Sequence, residues 1–359
     1  MSDAPAAHWA VILAGGIGSR FWPASTPVRP KQLLPLVDDS PLLVNTVTRL
    51  IPLVGAKRIL ILTNASLTRT IASLLPDIPP ANILAEPRSA STAPALAWAA
   101  SEIVRRADAG EGGGREAVML CVHSDWAIGD AEEFRSTLLR AADVAARFAS
   151  LVTVGVIPTR PDTGFGYIQP GRVLNGEDAR RVRRFVEKPD RPRAQRMVRA
   201  GYLWNSGIFV WRAGDFLDEV QQVAPEVATA LPQLASGNVE KFFENVTPIS
   251  VDEGVLERSE RVLVLPGDFG WDDVGTWSAL RRVRTLDSEG NASSGPVHFV
   301  SSNDNVVHIE AGGNPVVLYG VHDMVVVCTA GLTLVTTTEH ATNLKKLVES
   351  LPAHLREGA

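Results

Sequence analysis

"VILAGGIGSRFWPASTPVRPKQLLPL", residues 11–36, decides how the rest of the chain is read. Residues 9–14 (WAVILA) form an apolar run without alternation that ends in Gly-Gly. Such a run reads as a strand buried on both faces. The glycines after it let backbone N–H groups come close to a ligand and tolerate positive φ. N–H groups exposed in this way make a concave anion site. Arg20 and Lys31 add fixed positive charge, and arginine grips a phosphate with two parallel hydrogen bonds. The loop is not a Walker loop, because G-x-x-x-x-G-K-[ST] is absent. It is a poor dinucleotide fingerprint too, since Arg20 stands in the loop and no third glycine closes the pattern. For "GGIGSR" alone, a tight turn with solvated basic residues and a phosphate site are evenly balanced. "RPKQ" (29–32) tips the balance to a triphosphate.

Outward from that loop, strand-like and helix-like runs alternate. Strands are expected at 58–63, 117–122 and 151–157, and helices at 41–51, 93–107 and 131–148. This alternation indicates an α/β domain whose parallel-type sheet is covered on both faces. Ligands of such sheets collect at the carboxyl ends of strands, here the loops after residues 14, 122 and 157. Residues 164–189 read as a hairpin with an Asn-Gly turn at 175–176. Residues 207–211 and 261–265 read as strands, with several helices between them. From about 291, short β runs separated by Gly, Asn and Asp predict a small all-β unit, finished by a helix at 342–350. The expected domains are 1–288 and 289–359.

The bulk composition narrows the function. The net charge is −5 and the pI about 5.9. That balance disfavours nucleic acid as a partner. Cys121 and Cys328 make no disulfide framework and suit a reducing cytosol. The N-terminus has neither a basic region nor a long apolar stretch, so no signal peptide is expected. No window reaches the roughly 18 apolar residues of a membrane helix. A soluble cytoplasmic protein without a membrane partner is the expectation. Nine Lys or Arg lie in 180–199 against Glu187 and Asp190. They read as a solvated face that draws in anionic substrates.

"LAGGIGSRFWPASTPVRPKQ" resembles the start of the sugar-1-phosphate nucleotidylyltransferases. Its Trp-Pro and Lys-Gln details resemble the bacterial mannose-1-phosphate guanylyltransferases. "EPRSASTAPALAWAA" (86–100), "HSDWAI" (123–128), "TGFGYI" (163–168), "FVEKP" (185–189), "WNSGIFVW" (204–211) and "WDDVGTW" (271–277) match in the same order. The resemblance covers nearly the whole chain. It implies a Rossmann-like three-layer nucleotidyltransferase domain with a mixed central sheet, followed by a small C-terminal all-β, β-helix-like domain. It also implies transfer of a nucleoside monophosphate from GTP to mannose 1-phosphate, giving GDP-mannose and pyrophosphate. Mg²⁺ or another divalent cation and a homodimer go with it. No isomerase half is expected after the β unit.

The resemblance assigns roles residue by residue. Nucleotide binding falls to Leu13, Ala14, Gly15, Gly16, Gly18, Ser19, Arg20, Lys31, Glu86, Pro87, Thr92, Ala93, Ser124 and Asp125. Pro87 stiffens its loop, and Thr92 is placed to cap a helix starting near Pro94. The metal falls to Asp125 and Asp273, since Mg²⁺ with phosphates is commonly held through one or two carboxylates. Asp272 competes with Asp273, and only the family register separates them. Sugar-phosphate binding falls to Gly166, Tyr167, Glu187, Lys188, Asn205, Ser206 and Gly207. On its own, Glu187-Lys188 reads as a surface ion pair worth about 0–1 kcal/mol. Catalysis falls to Arg20, Lys31, Lys188, Asp125 and Asp273. Trp271 and Trp277 sit near the metal loop and read as packing residues.

The chain departs from the family at two places. Ala90-Ser91 stands where Arg-Asn is usual, which removes donors near the nucleotide and leaves the base open. Asp125-Trp126 stands where Asp-His is usual. Another base or sugar, such as UTP or glucose 1-phosphate, therefore stays an alternative, as does a catalytically silent nucleotide-sugar sensor.

Overall fold

The computed structural model describes residues 7–16, 18–108, 113–174 and 176–357. Ile17 of the opening loop, 109–112 of the expected "GEGGG" loop and Asn175 of the expected turn lie outside the described residues. Contacts divide the chain into two compact units. One comprises Met1–Gly15, Val47–His123 and Asp130–Trp271, the other Gly16–Thr46, Ser124–Gly129 and Asp272–Ala359. This grouping does not follow chain order, as the expected 288/289 boundary does.

The first unit is built on a nine-stranded sheet. Its strands are β1 (His8–Leu13), β2 (Ile59–Asn64), β3 (Ile83–Glu86), β4 (Val118–His123), β5 (Leu151–Val156), β6 (Tyr167–Val173), β7 (Arg180–Val186), β8 (Leu203–Arg212) and β9 (Val262–Gly267). They run in the order β3-β2-β1-β4-β8-β5-β9-β7-β6. β1 pairs in parallel with β2 and β4, while β8 enters antiparallel to both β4 and β5. The sheet is therefore mixed, and the parallel-type reading holds for β1–β4 and for the β5–β9 pair. β3 (ILAE) was not expected, because four half-buried residues between loops carry no clear period.

Helices α1 (Leu42–Val54) and α2 (Thr68–Leu74) come before and after β2 in the chain. β1 is buried from Trp9 to Leu13, which explains its unbroken apolar run. Trp9 and Val11 enter a core with Met119 and Cys121 of β4 and with α3 (Thr92–Asp108). Ala10 and Ile12 point to the other face and are also buried. α4 (Ala131–Phe148) packs along β4, β5 and β8. Asp130 starts α4, its carboxylate accepting the N–H groups of Glu132 and Glu133.

The second unit has its own core. Phe21, Trp22, Leu34 and Leu36 of the opening loop pack in one cluster with Trp277, Leu280, Val306, Val325, Val327 and Leu344. Burial of these loop side chains places residues 16–46 with the C-terminal segment. Trp277 donates its Nε1–H to the Trp22 carbonyl at 3.0 Å, a packing role, as expected. The C-terminal segment holds β10 (Ala292–Ser294), β11 (Val297–Val300), β12 (Val306–Ile309), β13 (Val316–Tyr319), β14 (Met324–Cys328) and β15 (Thr333–Thr337). β10, β12 and β14 pair in parallel, and β15 closes that sheet antiparallel. β11 and β13 form a separate parallel pair. A helix at Leu344–Ser350 follows.

Candidate active site

In the second unit, Lys31 is the centre of a charged cluster. It opens a short 3₁₀ turn after Pro30, with its side chain only 7% exposed. Its Nζ donates to Asp125 Oδ2 at 2.9 Å and to the Asp273 carbonyl at 2.6 Å. The ammonium also lies 5.7 Å from the centre of the Phe21 ring. Gly18, at φ +67°, packs its backbone on the Lys31 stem, so any side chain there would overlap Lys31 Cβ. Its carbonyl accepts the Ser25 hydroxyl at 2.7 Å. Gly16 is exposed, Ser19 opens a 3₁₀ turn that contains exposed Arg20, and Ser124 is buried.

Arg20 and Asp273 meet around Gly275. A Cβ on that glycine would lie 2.7 Å from Asp273 Oδ2 and 3.3 Å from Arg20 Nη1. Burial raises the Asp273 carboxyl above its usual range. Lys31 pulls it back, Asp272 adds to the rise, and Arg20 and Arg282 oppose it. Asp272 is held differently. It accepts two hydrogen bonds from Arg282, at 2.6 and 2.9 Å, and the Val274 N–H at 2.9 Å. The two neighbours thus divide their work: Asp272 braces the loop, and Asp273 faces the Lys31–Arg20 cluster. No side-chain group of three or more His, Cys, Asp and Glu able to hold a metal occurs among the described residues.

In the first unit, β1 ends in buried Leu13 and Ala14, whose carbonyl accepts the Thr63 hydroxyl at 3.1 Å. A Cβ on Gly15 would lie 3.8 Å from Glu86 Oε1. Glu86 ends β3 just before Pro87, and burial pushes its carboxyl up to about 7. Ala90 is fully buried, and Ser91 sits at φ +69°. Thr92 is the first residue of α3; its hydroxyl accepts the Val251 N–H at 2.8 Å, and Ala93 N–H donates to the Ile249 carbonyl at 3.2 Å.

The expected sugar-phosphate residues of this unit gather where β8 meets β6. The register of β5 against β8 shifts at Val154/Gly155, with Gly207 at φ +72°. Irregularities of this kind re-aim side chains. Ser206 donates to the Val154 carbonyl at 2.6 Å and is buried. Tyr167 is buried too, its hydroxyl donating to the Asp162 carbonyl at 2.8 Å. Both therefore hold the backbone. Asn205 is turned out, with its Nδ2 donating to Asp252 Oδ1 at 2.7 Å. A Cβ on Gly166 would lie 2.9 Å from Glu187 Oε2 and 3.4 Å from Asn205 Cβ. Lys188, at φ +37°, donates to Glu187 Oε1 at 2.6 Å. Phe165, Trp204 and Trp271 pack edge to face beside this group.

Asp252 escaped the sequence reading. Burial raises its carboxyl; Asn205 and His123 oppose the rise, and Glu187 adds to it. It lies in a π-helical turn, Asp252–Leu256, within "SVDEGVLERSE". Four acids in that stretch and an irregular turn leave no period to say which one points inward.

The sequence profile described as nucleotidyl transferase matches residues 9–290. The chain belongs to the nucleotidyl transferase family. This nucleotidyl transferase is 36% identical over 358 residues to the mannose-1-phosphate guanylyltransferase of Escherichia coli K12, covering 96% of this chain and 73% of that one. It is 35% identical to the xanthan biosynthesis protein XanB of Xanthomonas campestris strain B100, covering 97% of this chain and 74% of the other. Its fold matches a Thermus thermophilus structure described as mannose-1-phosphate geranyltransferase. The TM-score is 0.87 at 32% identity, over 95% of this chain and 98% of that one. The resemblance expected from the opening loop thus extends over nearly all of this nucleotidyl transferase. No helix among the described residues is long and apolar enough to cross a membrane.

Proposed function

We infer that this chain transfers the guanylyl group of GTP to mannose 1-phosphate, forming GDP-mannose and pyrophosphate. Identity of 32–36% to mannose-1-phosphate guanylyltransferases along almost the full length carries the inference. The attacking phosphate already carries its second charge near pH 7, since that pKa is about 6. No general base is needed, and the barrier falls through positioning and charge neutralisation. Arg20 and Lys31 neutralise the triphosphate, with Gly15, Gly16 and Gly18 letting the backbone approach it closely. Glu187, Asn205 and Lys188 hold the sugar hydroxyls and its phosphate, and Asp252 orients Asn205. In the present structure Glu187 and Lys188 are an exposed pair, 65% and 63% accessible, so both are open to a ligand.

Nucleotidyl transferases of this family generally use a divalent metal. The donor set here fits one: the Asp125 carboxylate and the Asp273 carbonyl both meet the Lys31 ammonium, so this spot already attracts positive charge. Asp125 and Asp273 would hold Mg²⁺ together with phosphate oxygens. When bound, the ion supplies charge neutralisation at the α-phosphate and fixes its orientation. Asp272, held by Arg282, is left to brace the loop.

The base is the point at which a second reading has support. Ala90 is part of the core, so the usual arginine donor has no counterpart beside Ser91. Pyrophosphate release measured with GTP, ATP, UTP and dTTP against mannose 1-phosphate and glucose 1-phosphate separates the readings. Fastest turnover with any pair other than GTP and mannose 1-phosphate would overturn the first. We further propose that the C-terminal unit is β-helix-like, because Ala292, Val306 and Val325 stack in parallel register. A homodimer is supported by exposed Val317, Tyr319 and Val335 on that unit. A cytoplasmic location is supported by two free cysteines. The 1–288 and 289–359 division is kept as the family's own unit plus an appended one.

A further inference from the structure

The basic run at 180–199 is not absorbed by the proposed reaction, and the first unit sorts its members. Arg184, Arg193 and Arg196, with Met197, Ala200 and Tyr202, line a cavity of about 240 Å³ between β7 and α5 (Arg191–Arg199). Several arginines elsewhere are paired with acids, as in Arg106–Glu102, Arg212–Asp215 and Arg258–Glu226, while Arg88, Arg181 and Arg284 meet backbone carbonyls. Among the described residues, none of the three cavity arginines has a carboxylate partner. Of the two acids between these arginines, Asp190 accepts the backbone N–H of Arg193 at 2.8 Å as the cap of α5, and Glu187 pairs with Lys188. Arg184 donates to the Tyr202 hydroxyl at 2.8 Å. That oxygen accepts, so the phenol's own proton remains to be given to an acceptor. Tyr202 and Met197 are buried, which gives the cavity a firm apolar floor beneath its charges.

We propose that the Arg184–Arg193–Arg196 cavity binds a diphosphate group, either as free pyrophosphate or as the diphosphate of a nucleotide. Three arginines lining one cavity without a carboxylate partner attract a compact polyanion. Their planar forks match phosphate oxygens in pairs, and the Tyr202 proton adds a further donor. A single small cavity on a chain of net charge −5 suits a small anion rather than a nucleic acid, which needs a continuous basic stripe.

The site has a route to function. β7 and α5 both supply lining residues, and residues 187–190 join the two elements. That join carries Glu187 and Lys188, the latter at φ +37°. An anion that ties β7 to α5 holds the join in one conformation and so tightens sugar-phosphate binding. This second step rests on the roles proposed for Glu187 and Lys188; the binding itself does not.

The test is calorimetric titration of the full-length chain with pyrophosphate and, separately, with GDP. Wild type should bind two equivalents of pyrophosphate, one at the Lys31 cluster and one at the arginines. Arg193→Ala/Arg196→Ala should bind one, with its melting temperature unchanged, and Lys31→Ala should keep the arginine-cavity equivalent. Tyr202→Phe should weaken that equivalent about fivefold, as loss of one hydrogen bond does. Tighter GDP at the arginines than pyrophosphate assigns the source to a nucleotide, and the reverse assigns it to the free anion. Two equivalents in Arg193→Ala/Arg196→Ala, or one in wild type that Lys31→Ala abolishes, would overturn the proposal. For the coupling, methylenediphosphonate at saturating GTP should lower KM for mannose 1-phosphate about fivefold in wild type, a typical allosteric factor. It should have no such effect in the double variant, and equal responses would overturn the coupling while leaving the transferase reading untouched.

Discussion

Glu86→Gln should make the protein more stable, and by an amount that grows with pH. Burial holds the Glu86 carboxyl at about 7, against 4.5 for an ordinary glutamate. The folded-state value is thus raised above the unfolded one. Below the unfolded value the group is protonated in both states and contributes nothing. Between the two values only the folded state keeps the proton, and the penalty builds. Above about 7 both states are ionised, and the folded state carries the whole cost of a desolvated charge. A tenfold change in proton affinity is worth about 1.4 kcal/mol, so the ceiling is about 3 kcal/mol. Partial exposure of the side chain screens this to about 1–2 kcal/mol. Glutamine keeps the shape and removes the charge. Urea midpoints of both proteins, without nucleotide, should coincide near pH 4 and separate by about 1–2 kcal/mol near pH 8.5. A separation that stays constant with pH would refute the desolvation argument. So would a Glu86 carboxyl resonance that titrates at the ordinary glutamate value.

Other substitutions probe the two charged groups. Asp273→Asn should cut pyrophosphate release by at least about a hundredfold, the scale of losing one fixed electrostatic group, without lowering the melting temperature. A stable, fully active variant would remove Asp273 from the reaction. Gly275→Ala should cost about 1–3 kcal/mol by overpacking, because its Cβ would press on Asp273 Oδ2 at 2.7 Å; thermal unfolding and pyrophosphate release should fall together. Asp252→Asn should raise KM for mannose 1-phosphate about tenfold, the effect of misorienting one hydrogen-bonded side chain, with kcat nearly unchanged. An unchanged KM would show that Asp252 does not act through Asn205.

Much of this molecule is legible in order along the chain. The buried strands β1, β2, β4 and β5 are unbroken apolar runs, because burial on both faces leaves no position for a polar side chain. Helix α3 follows from Ala-rich periodicity, and the helix expected at 131–148 is α4. The Gly15–Lys31 loop stands out because a glycine turn after a buried strand marks where backbone and charge face outward, whereas Asp125 and Glu187-Lys188 are distinguished only by the family resemblance. Other features depend on partners distant in sequence. β8 runs antiparallel between β4 and β5, and nothing in "LWNSGIFVWR" states its direction. Which of Asp272 and Asp273 braces the loop is settled by Arg282. Asp252 meets Asn205, 47 residues away. The opening loop joins the C-terminal segment because Phe21, Trp22 and Leu34 find their apolar partners there. Periodicity and turn chemistry are local, so sequence alone determined most of the elements and named the candidates for binding phosphate. Burial and pairing come from contacts between remote segments, so only the tertiary structure decided which charges are desolvated, which are neutralised and which remain for a ligand.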